Sequence, residues 1–288
     1  MRSFSALLDL ILQEKGNNGD RMPDFIYSNK NKHFRFAKSL KIKKYRDLTN
    51  HFLIEGVKIM EEAMSLDGGL SVVFISSKYI GDQEINNISN ICKDKNIPIY
   101  QVDGRIFKEL AETESTQGII GIVKKSEYQL NNLLKRSILK LIILEEIQDP
   151  GNLGTIIRTA DACNYDCVIL TKGCVDLYNS KTIRATMGSL FHLPIITNTD
   201  IFKLLNLLKD NDVLIIGSGV RNGIPSYDMD FKIKFALIIG NESAGLSDPV
   251  INMIDKKVNI PMPGRAESLN ASIAAAILMY ESIRRNDK

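Results

Sequence analysis

The sequence predicts an α/β protein of two parts: a C-terminal domain on a mostly parallel sheet and a smaller N-terminal α/β domain. Short apolar, β-branched runs alternate with helix-period segments through both halves. The runs of the second half are apolar throughout, as expected of strands with helices on both faces. A chain of 288 residues with 44% hydrophobic residues can build two cores of ordinary size.

Residues 1–22 read as an N-terminal extension, "FSALLDLILQEKGNNGDRM" giving one short amphipathic helix and a Gly/Asn-rich link, with Met22 an alternative start. Residues 23–125 form the smaller domain. Its elements are "FLIEGVKIMEEAM" (helix), "SVVFISS" (strand), "NNISNICKDKNIPIYQV" (helix, then strand), "GRIFKELAE" (helix) and "GIIGIVKK" (strand). Residues 126–137, beginning "SEYQLNNLLKR", are the expected linker. Residues 138–288 carry six strand runs, "LKLIILEEI", "CVILTKG", "HLPIITN", "VLIIGSG", "FALIIGNE" and "KVNIPMPG", and close with the helix "SLNASIAAAILMYESIRR".

No apolar run approaches the roughly 20 residues that span a bilayer, which argues against a membrane protein. Cys92, Cys163, Cys167 and Cys174 lack the paired spacing of a zinc site, and no secretory signal is recognisable. A reduced, cytoplasmic setting without a structural metal is expected. The formal charge of +3 is modest, yet it conceals a cluster in "YSNKNKHFRFAKSLKIKKYR". Lys30, Lys32, Arg35, Lys38, Lys41, Lys43, Lys44 and Arg46 occur there without an acidic residue, interleaved with His33, Phe34, Phe36 and Tyr45. Cations that neutralise phosphates and aromatics that stack on unpaired bases are the composition of an RNA-contacting segment. A solvated helix face anchored by Phe36, Leu40 and Ile42 is the alternative.

Ligands of open α/β sheets bind beyond the carboxyl ends of strands, and three loops there are unusual. In "QDPGNLGTIIRTADAC", Asn152 is placed to cap a helix, and Gly151 and Gly154 permit a tight turn and close approach to a ligand. Leu153, Ile156, Ile157 and Ala160 share one face of that helix, and Arg158 falls off it. In "IIGNESAGLSDP", Glu242 follows a strand end, Gly245 permits a turn, and Ser243 or Ser247 can cap the next helix. In "IPMPGRAESLNASIAAAIL", Pro261, Pro263 and Gly264 fix an irregular loop before Ser268 and Asn270, and Ala271, Ala274, Ala275 and Ala276 allow close helix packing.

Familiar nucleotide and hydrolase motifs do not explain these loops. "GSGVRNG" at Gly217 has the wrong spacing for a dinucleotide fingerprint, and no phosphate loop of the G-x-x-x-x-G-K-[ST] type is present. His33, His51 and His192 are too scattered for a metal site or a nucleophilic triad.

Together, "DPGNLGTIIRTADAC", "IIGNESAGLS" and "VNIPMPGRAESLNASIAAAI" resemble, in this order, the three signature motifs of the SpoU (TrmH-like) RNA 2′-O-ribose methyltransferases of the SPOUT superfamily. "KTIRATMGSLFHLPI" is also typical of that family, and the resemblance covers residues 138–288. The front half is similar, more loosely, to the family's substrate-binding domain, which is related to small ribosomal RNA-binding proteins. The resemblance implies a C-terminal α/β trefoil knot, a topology that general chain rules would exclude. It also implies S-adenosylmethionine as cofactor, a homodimer, and RNA as substrate, rRNA of the 23S type favoured over tRNA. By the same resemblance, Arg158 is the catalytic residue, with Asn152, Glu242, Ser268 and Asn270 shaping the site. The backbone around Gly240, Glu242, Ile260, Met262 and Leu269 holds the cofactor, and Lys30, Lys32, Arg35, Lys38, Lys43, Lys44 and Arg46 contact RNA.

Two roles stay open for Arg158 at this point: general base, or a cation that binds the adjoining phosphate and stabilises an alkoxide. The departures from the family pattern, such as Ala271 where many members carry Val, remove no functional group. Two other classes are a non-catalytic RNA-binding protein of ribosome assembly and a nucleotide-dependent enzyme using the Gly217 loop.

Overall fold

The computed structural model describes residues 24–65, 69–219, 222–231 and 233–284, so the expected helix within residues 1–22 lies outside the described residues. The chain divides into two compact units between Ser126 and Glu127. The first holds strands β1 (Asp24–Ile26), β2 (His51–Glu55), β3 (Leu70–Ser76), β4 (Ile99–Val102) and β5 (Ile119–Lys124) in the order β1-β4-β3-β5-β2. Strand β4 is parallel to β1 and β3, and β5 is antiparallel to β3 and β2. Phe34 and Phe36 of the helix Lys32–Ser39 enter the core beside Phe74, Val102, Phe107 and Ile122.

The sequence places one helix over "FLIEGVKIMEEAM", and the structure corrects this. Phe52 and Ile54 are buried at period two in β2, which pairs antiparallel with β5. At Gly56 the backbone takes φ +115°, a value L-residues avoid, and only then does the helix Val57–Met64 begin. The apolar residues alone fit either period; the glycine marks the break. Strand β1, three residues long, gives too little pattern to be read from sequence.

The second unit holds β6 (Leu139–Leu144), β7 (Cys167–Thr171), β8 (Ile195–Thr199), β9 (Leu214–Ser218), β10 (Ile224–Pro225), β11 (Lys234–Ile239) and β12 (Lys256–Asn259). Their order is β10-β12-β9-β11-β6-β7-β8, and every pairing is parallel. Leu141 and Ile143 pack with Leu204, Leu205 and Leu208, while the alternate residues Ile142 and Leu144 are equally buried. Burial on both faces explains why these strands read as continuous apolar runs. The expected linker also behaves differently from the prediction. Its helix Leu130–Leu134 contributes Leu133 and Leu134 to the core of the second unit.

From β6 the chain proceeds to β7 on one side, and from β11 it proceeds to β12 on the other. Because β6 and β11 are neighbours, the sheet has a topological switch point at their carboxyl ends. No helix among the described residues is long and apolar enough to cross a membrane.

Candidate active site

Two of the three unusual loops leave the sheet at this switch point, and each is built around a helix start or a turn. The helix Pro150–Ala162 begins with Asp149, whose side chain accepts a hydrogen bond from the Asn152 N–H at 2.8 Å, and Pro150 occupies its first turn. Asp149 is therefore the cap, and Asn152, the residue expected to cap, lies buried inside the first turn. An Asp-Pro pair ahead of a helical run is the sequence signal for this start. The Asp149 carboxyl is held below the ordinary aspartate pKa, chiefly by the Asn152 N–H, with Lys181 adding to the effect.

Leu153, Ile156, Ile157 and Ala160 are fully buried and Arg158 is exposed, as the helical period predicts. The Arg158 side chain makes no hydrogen bond or ion pair to other described residues. Gly154 has a different role from the one expected. A Cβ there would meet the Thr182 carbonyl oxygen at 2.8 Å and also overlap Ala185, so this glycine permits contact with the helix Ser180–Thr186.

The loop after β11 turns back on itself. Asn241 and Gly245 exchange backbone hydrogen bonds at 3.0 and 2.9 Å, and Gly245 sits at φ +70°. A side chain on Gly240 would collide with the Gly245 and Leu246 backbone, so the turn lies directly over the strand end. This presents the Glu242 carboxylate to the first loop. Glu242 accepts from the N–H groups of Gln148 (3.1 Å) and Asp149 (3.0 Å) and from the Asn152 side-chain amide (3.1 Å). Partial burial opposes ionisation of Glu242, but these donors outweigh it and keep its pKa below the usual glutamate value.

Neither expected serine cap forms here. Ser247 precedes the helix Asp248–Ile251 without a side-chain cap bond; its hydroxyl donates instead to the buried Glu145 carboxylate at 2.6 Å. Sequence motifs do not single out Glu145, although two carboxylates at the end of an apolar strand are a signal for it.

Asn270 links the third loop to the first. Its amide nitrogen donates to the Asn152 side-chain Oδ1 at 2.9 Å, and its own Oδ1 accepts from Ser272 N and Oγ and Ile273 N at the start of the helix Ala271–Arg284. Glu242, Asn152 and Asn270 thus form one hydrogen-bonded series through all three motifs. Ser268 is exposed and has no side-chain hydrogen bond among the described residues, and Ile260 is half-buried. Met262 and Leu269 are partly exposed apolar groups on an irregular loop (39% and 37%). The backbone of residues 261–269 makes no hydrogen bond to other described residues. Open amides and carbonyls beside exposed apolar side chains suit a flat, polar-edged ligand such as an adenine.

The basic segment is only partly a free surface. Lys30, Arg35 and Lys44 are exposed; Lys38 is paired with Glu109 at 2.5 Å, and Lys43 with Asp47 at 3.0 Å. Lys32 is half-buried. Arg46 departs from the expectation altogether: it is buried, donating to the carbonyls of Leu40 and Lys41 at 2.8 Å each. His33, Phe34 and Phe36, anticipated as stacking groups, are core residues, and His33 lies against Tyr100. An amphipathic helix places its aromatics inward, leaving the cations outside. Gly217 also proves structural, since a Cβ there would meet Ile254 at 2.6 Å and Leu246 at 2.9 Å. Among the described residues no His, Cys, Asp or Glu cluster could hold a metal ion.

The model of the SpoU rRNA methylase family matches residues 140–280, and that of the MRM3-like substrate binding domain matches residues 31–121. The 23S rRNA (guanosine(2553)-2'-O)-methyltransferase RlmP of Bacillus subtilis (strain 168) is 35% identical over 255 residues, covering 88% of this chain and 97% of the relative. The AdoMet-bound rRNA methyltransferase from Sinorhizobium meliloti has a TM-score of 0.81 at 27% identity, covering 91% of this chain and 98% of that one. The SpoU methyltransferase AviRb from Streptomyces viridochromogenes, in complex with AdoMet, gives 0.80 at 25% identity, covering 90% and 99%. Fold, motif geometry and relatives agree, and this chain belongs to the SpoU rRNA methylase family.

Proposed function

We propose that this protein transfers a methyl group from S-adenosylmethionine to a ribose 2′-hydroxyl of large-subunit rRNA. The observation that carries the reading is the hydrogen-bonded series Glu242–Asn152–Asn270, which ties the three loops together in the first turn of the helix that carries the exposed Arg158. The rRNA activity of RlmP, matched across most of both chains, supports the choice of substrate class.

The backbone around Gly240, Glu242, Ile260, Met262 and Leu269 would hold the cofactor, with Met262 and Leu269 supplying apolar contact and residues 261–269 the polar partners. When bound, S-adenosylmethionine supplies an electrophilic methyl group on a sulfonium. The chain's task is to align the ribose hydroxyl and stabilise the oxygen as its proton leaves. In this reading Arg158 is the cation that faces the developing alkoxide, and its exposed position lets the hydroxyl proton pass to solvent. Glu242, Asn152 and Asn270 fix the loops around it, and Ser268 lines the approach. Lys30, Arg35, Lys38, Lys43 and Lys44 of the N-terminal unit draw RNA through its phosphates.

The same reading makes the C-terminal segment a deep trefoil knot and the protein a cytoplasmic homodimer. Ile273 and Tyr280, seven residues apart on the C-terminal helix, are 52% and 60% exposed and give that helix an apolar outer face for a second copy. The test is transfer of labelled methyl to separated large-subunit rRNA, small-subunit rRNA and tRNA, followed by alkaline hydrolysis. Label in hydrolysis-resistant dinucleotides of large-subunit rRNA supports the proposal, and its loss in Arg158→Ala supports the residue assignment. Label confined to tRNA would overturn the substrate, and RNA binding without S-adenosylmethionine binding would overturn the reaction.

A further inference from the structure

The segment that includes the helix Ser180–Thr186 packs along the helix bearing Arg158, and three contacts fix its direction. Lys181 Nζ lies 3.7 Å from Asp149 Oδ2, Ala185 lies against Gly154, and His192 Nδ1 lies 2.7 Å from Asp161 Oδ2. Both numberings rise together, so the segments run parallel, and the turn holding Arg158 lies alongside the residues that follow Ala185. Arg158 comes four residues after the contact residue Gly154, about 40° round its helix at ~100° per residue. Arg184 comes one residue before Ala185, about 100° round in the opposite sense. On parallel helices, opposite rotations from the facing line bring two side chains to the same side of the pair. Arg184 and Arg158 therefore emerge on the same side of the helix pair.

Their electrostatic setting separates them from their neighbours. Lys181 and His192, at the two ends of the segment, have carboxylate partners. Arg158 and Arg184 lie between those ends, both exposed and both with side chains that make no ion pair or hydrogen bond to other described residues. Two uncompensated guanidiniums on one side of a helix pair repel each other and attract an anion. A phosphodiester, which accepts a two-pronged bond from a guanidinium, fits that need.

We propose that Arg184 is a substrate-positioning residue: it binds an RNA phosphate beside the target nucleotide and thereby sets the ribose hydroxyl against Arg158. The proposal rests on the RNA methyltransferase reading above and adds a second anchor within the catalytic unit, apart from the N-terminal basic segment. Arg184 acts through the bound phosphate, so its removal weakens RNA capture more than turnover.

The experiment compares the full-length wild type with Arg184→Gln and Arg184→Lys on large-subunit rRNA, measuring KM for RNA, kcat, S-adenosylmethionine affinity and the salt dependence of RNA binding. Arg184→Gln is expected to raise KM for RNA about tenfold with kcat changed less than threefold and cofactor affinity unchanged. The slope of log K against log salt falls by about 0.7–0.9, one phosphate contact. Arg184→Lys restores part of the KM and the salt slope, which a packing role would not do. An unchanged KM and salt slope in Arg184→Gln, with active wild type, overturns the inference and leaves the methyltransferase reading standing. Wild type that binds RNA without methylating it overturns that reading. In that case the salt slopes of the two variants still show whether Arg184 meets a phosphate.

Discussion

Glu242 and Asn152, 90 residues apart in the chain, meet through a 3.1 Å hydrogen bond from the amide of one to the carboxylate of the other. Two backbone N–H groups converge on the same carboxylate, so Glu242→Gln turns a donor toward donors. A loss of ~1–3 kcal/mol in stability is expected, with methyl transfer reduced at least a hundredfold. Since the folded-state pKa lies below 4.5, the stabilisation is complete above the unfolded value and is lost as pH falls through the folded one. Denaturant midpoints across that acid range should therefore drop more steeply for wild type than for the variant.

Asn270 has two roles, as cap of the C-terminal helix and as donor to Asn152. Asn270→Ala is expected to cost ~1 kcal/mol through the cap alone. A double-mutant cycle with Asn152→Ala should give a coupling of at least ~0.5 kcal/mol, and strict additivity would break the proposed series.

Gly154→Ala tests the helix contact. A new methyl group 2.8 Å from the Thr182 carbonyl has to push the Ser180–Thr186 helix away. The expected loss is ~1–3 kcal/mol, together with weaker RNA methylation, because Arg184 moves with that helix.

Arg46 and Arg35 should behave in opposite ways despite their shared place in one basic run. Arg46→Met removes two hydrogen bonds of a buried guanidinium and should lower the melting temperature. Arg35→Met, on the exposed face, should leave melting unchanged and reduce RNA affinity in a salt-dependent manner.

His51 supplies a pH test for the N-terminal unit. Burial, helped by Lys124 and Lys125, holds its pKa below 6.5 against the raising effect of the Thr49 carbonyl. The unfolded chain takes up this proton first, so stability is full above pH 6.5 and declines as pH falls toward the folded value. His51→Phe should flatten that part of the stability curve.

The parallel sheet and the three site loops were legible because their signals are local: apolar runs bounded by glycine, and polar residues at strand ends. Arg158 could be placed outside the core by helical period alone. What sequence could not show was partnership across distance. Asn152 reads as a cap by type, yet Asp149 has the better reach and leaves Asn152 available to Glu242 and Asn270. Gly154 reads as a loop glycine because nothing nearby names Ala185, and Arg46 looks like its basic neighbours until the carbonyls of Leu40 and Lys41 surround it.

The series from Glu242 through Asn152 to Asn270 also bears on biosynthesis. Asn270 is made 118 residues after its partner Asn152, a delay of roughly 6–24 s at ~5–20 residues per second. Until then the helix carrying Arg158 has no C-terminal helix beside it. A ribosome making this chain is thus exposed to a nascent protein that holds the arginine but not the assembled pocket. The three loops therefore close on one another only once the segment through Asn270 has been made.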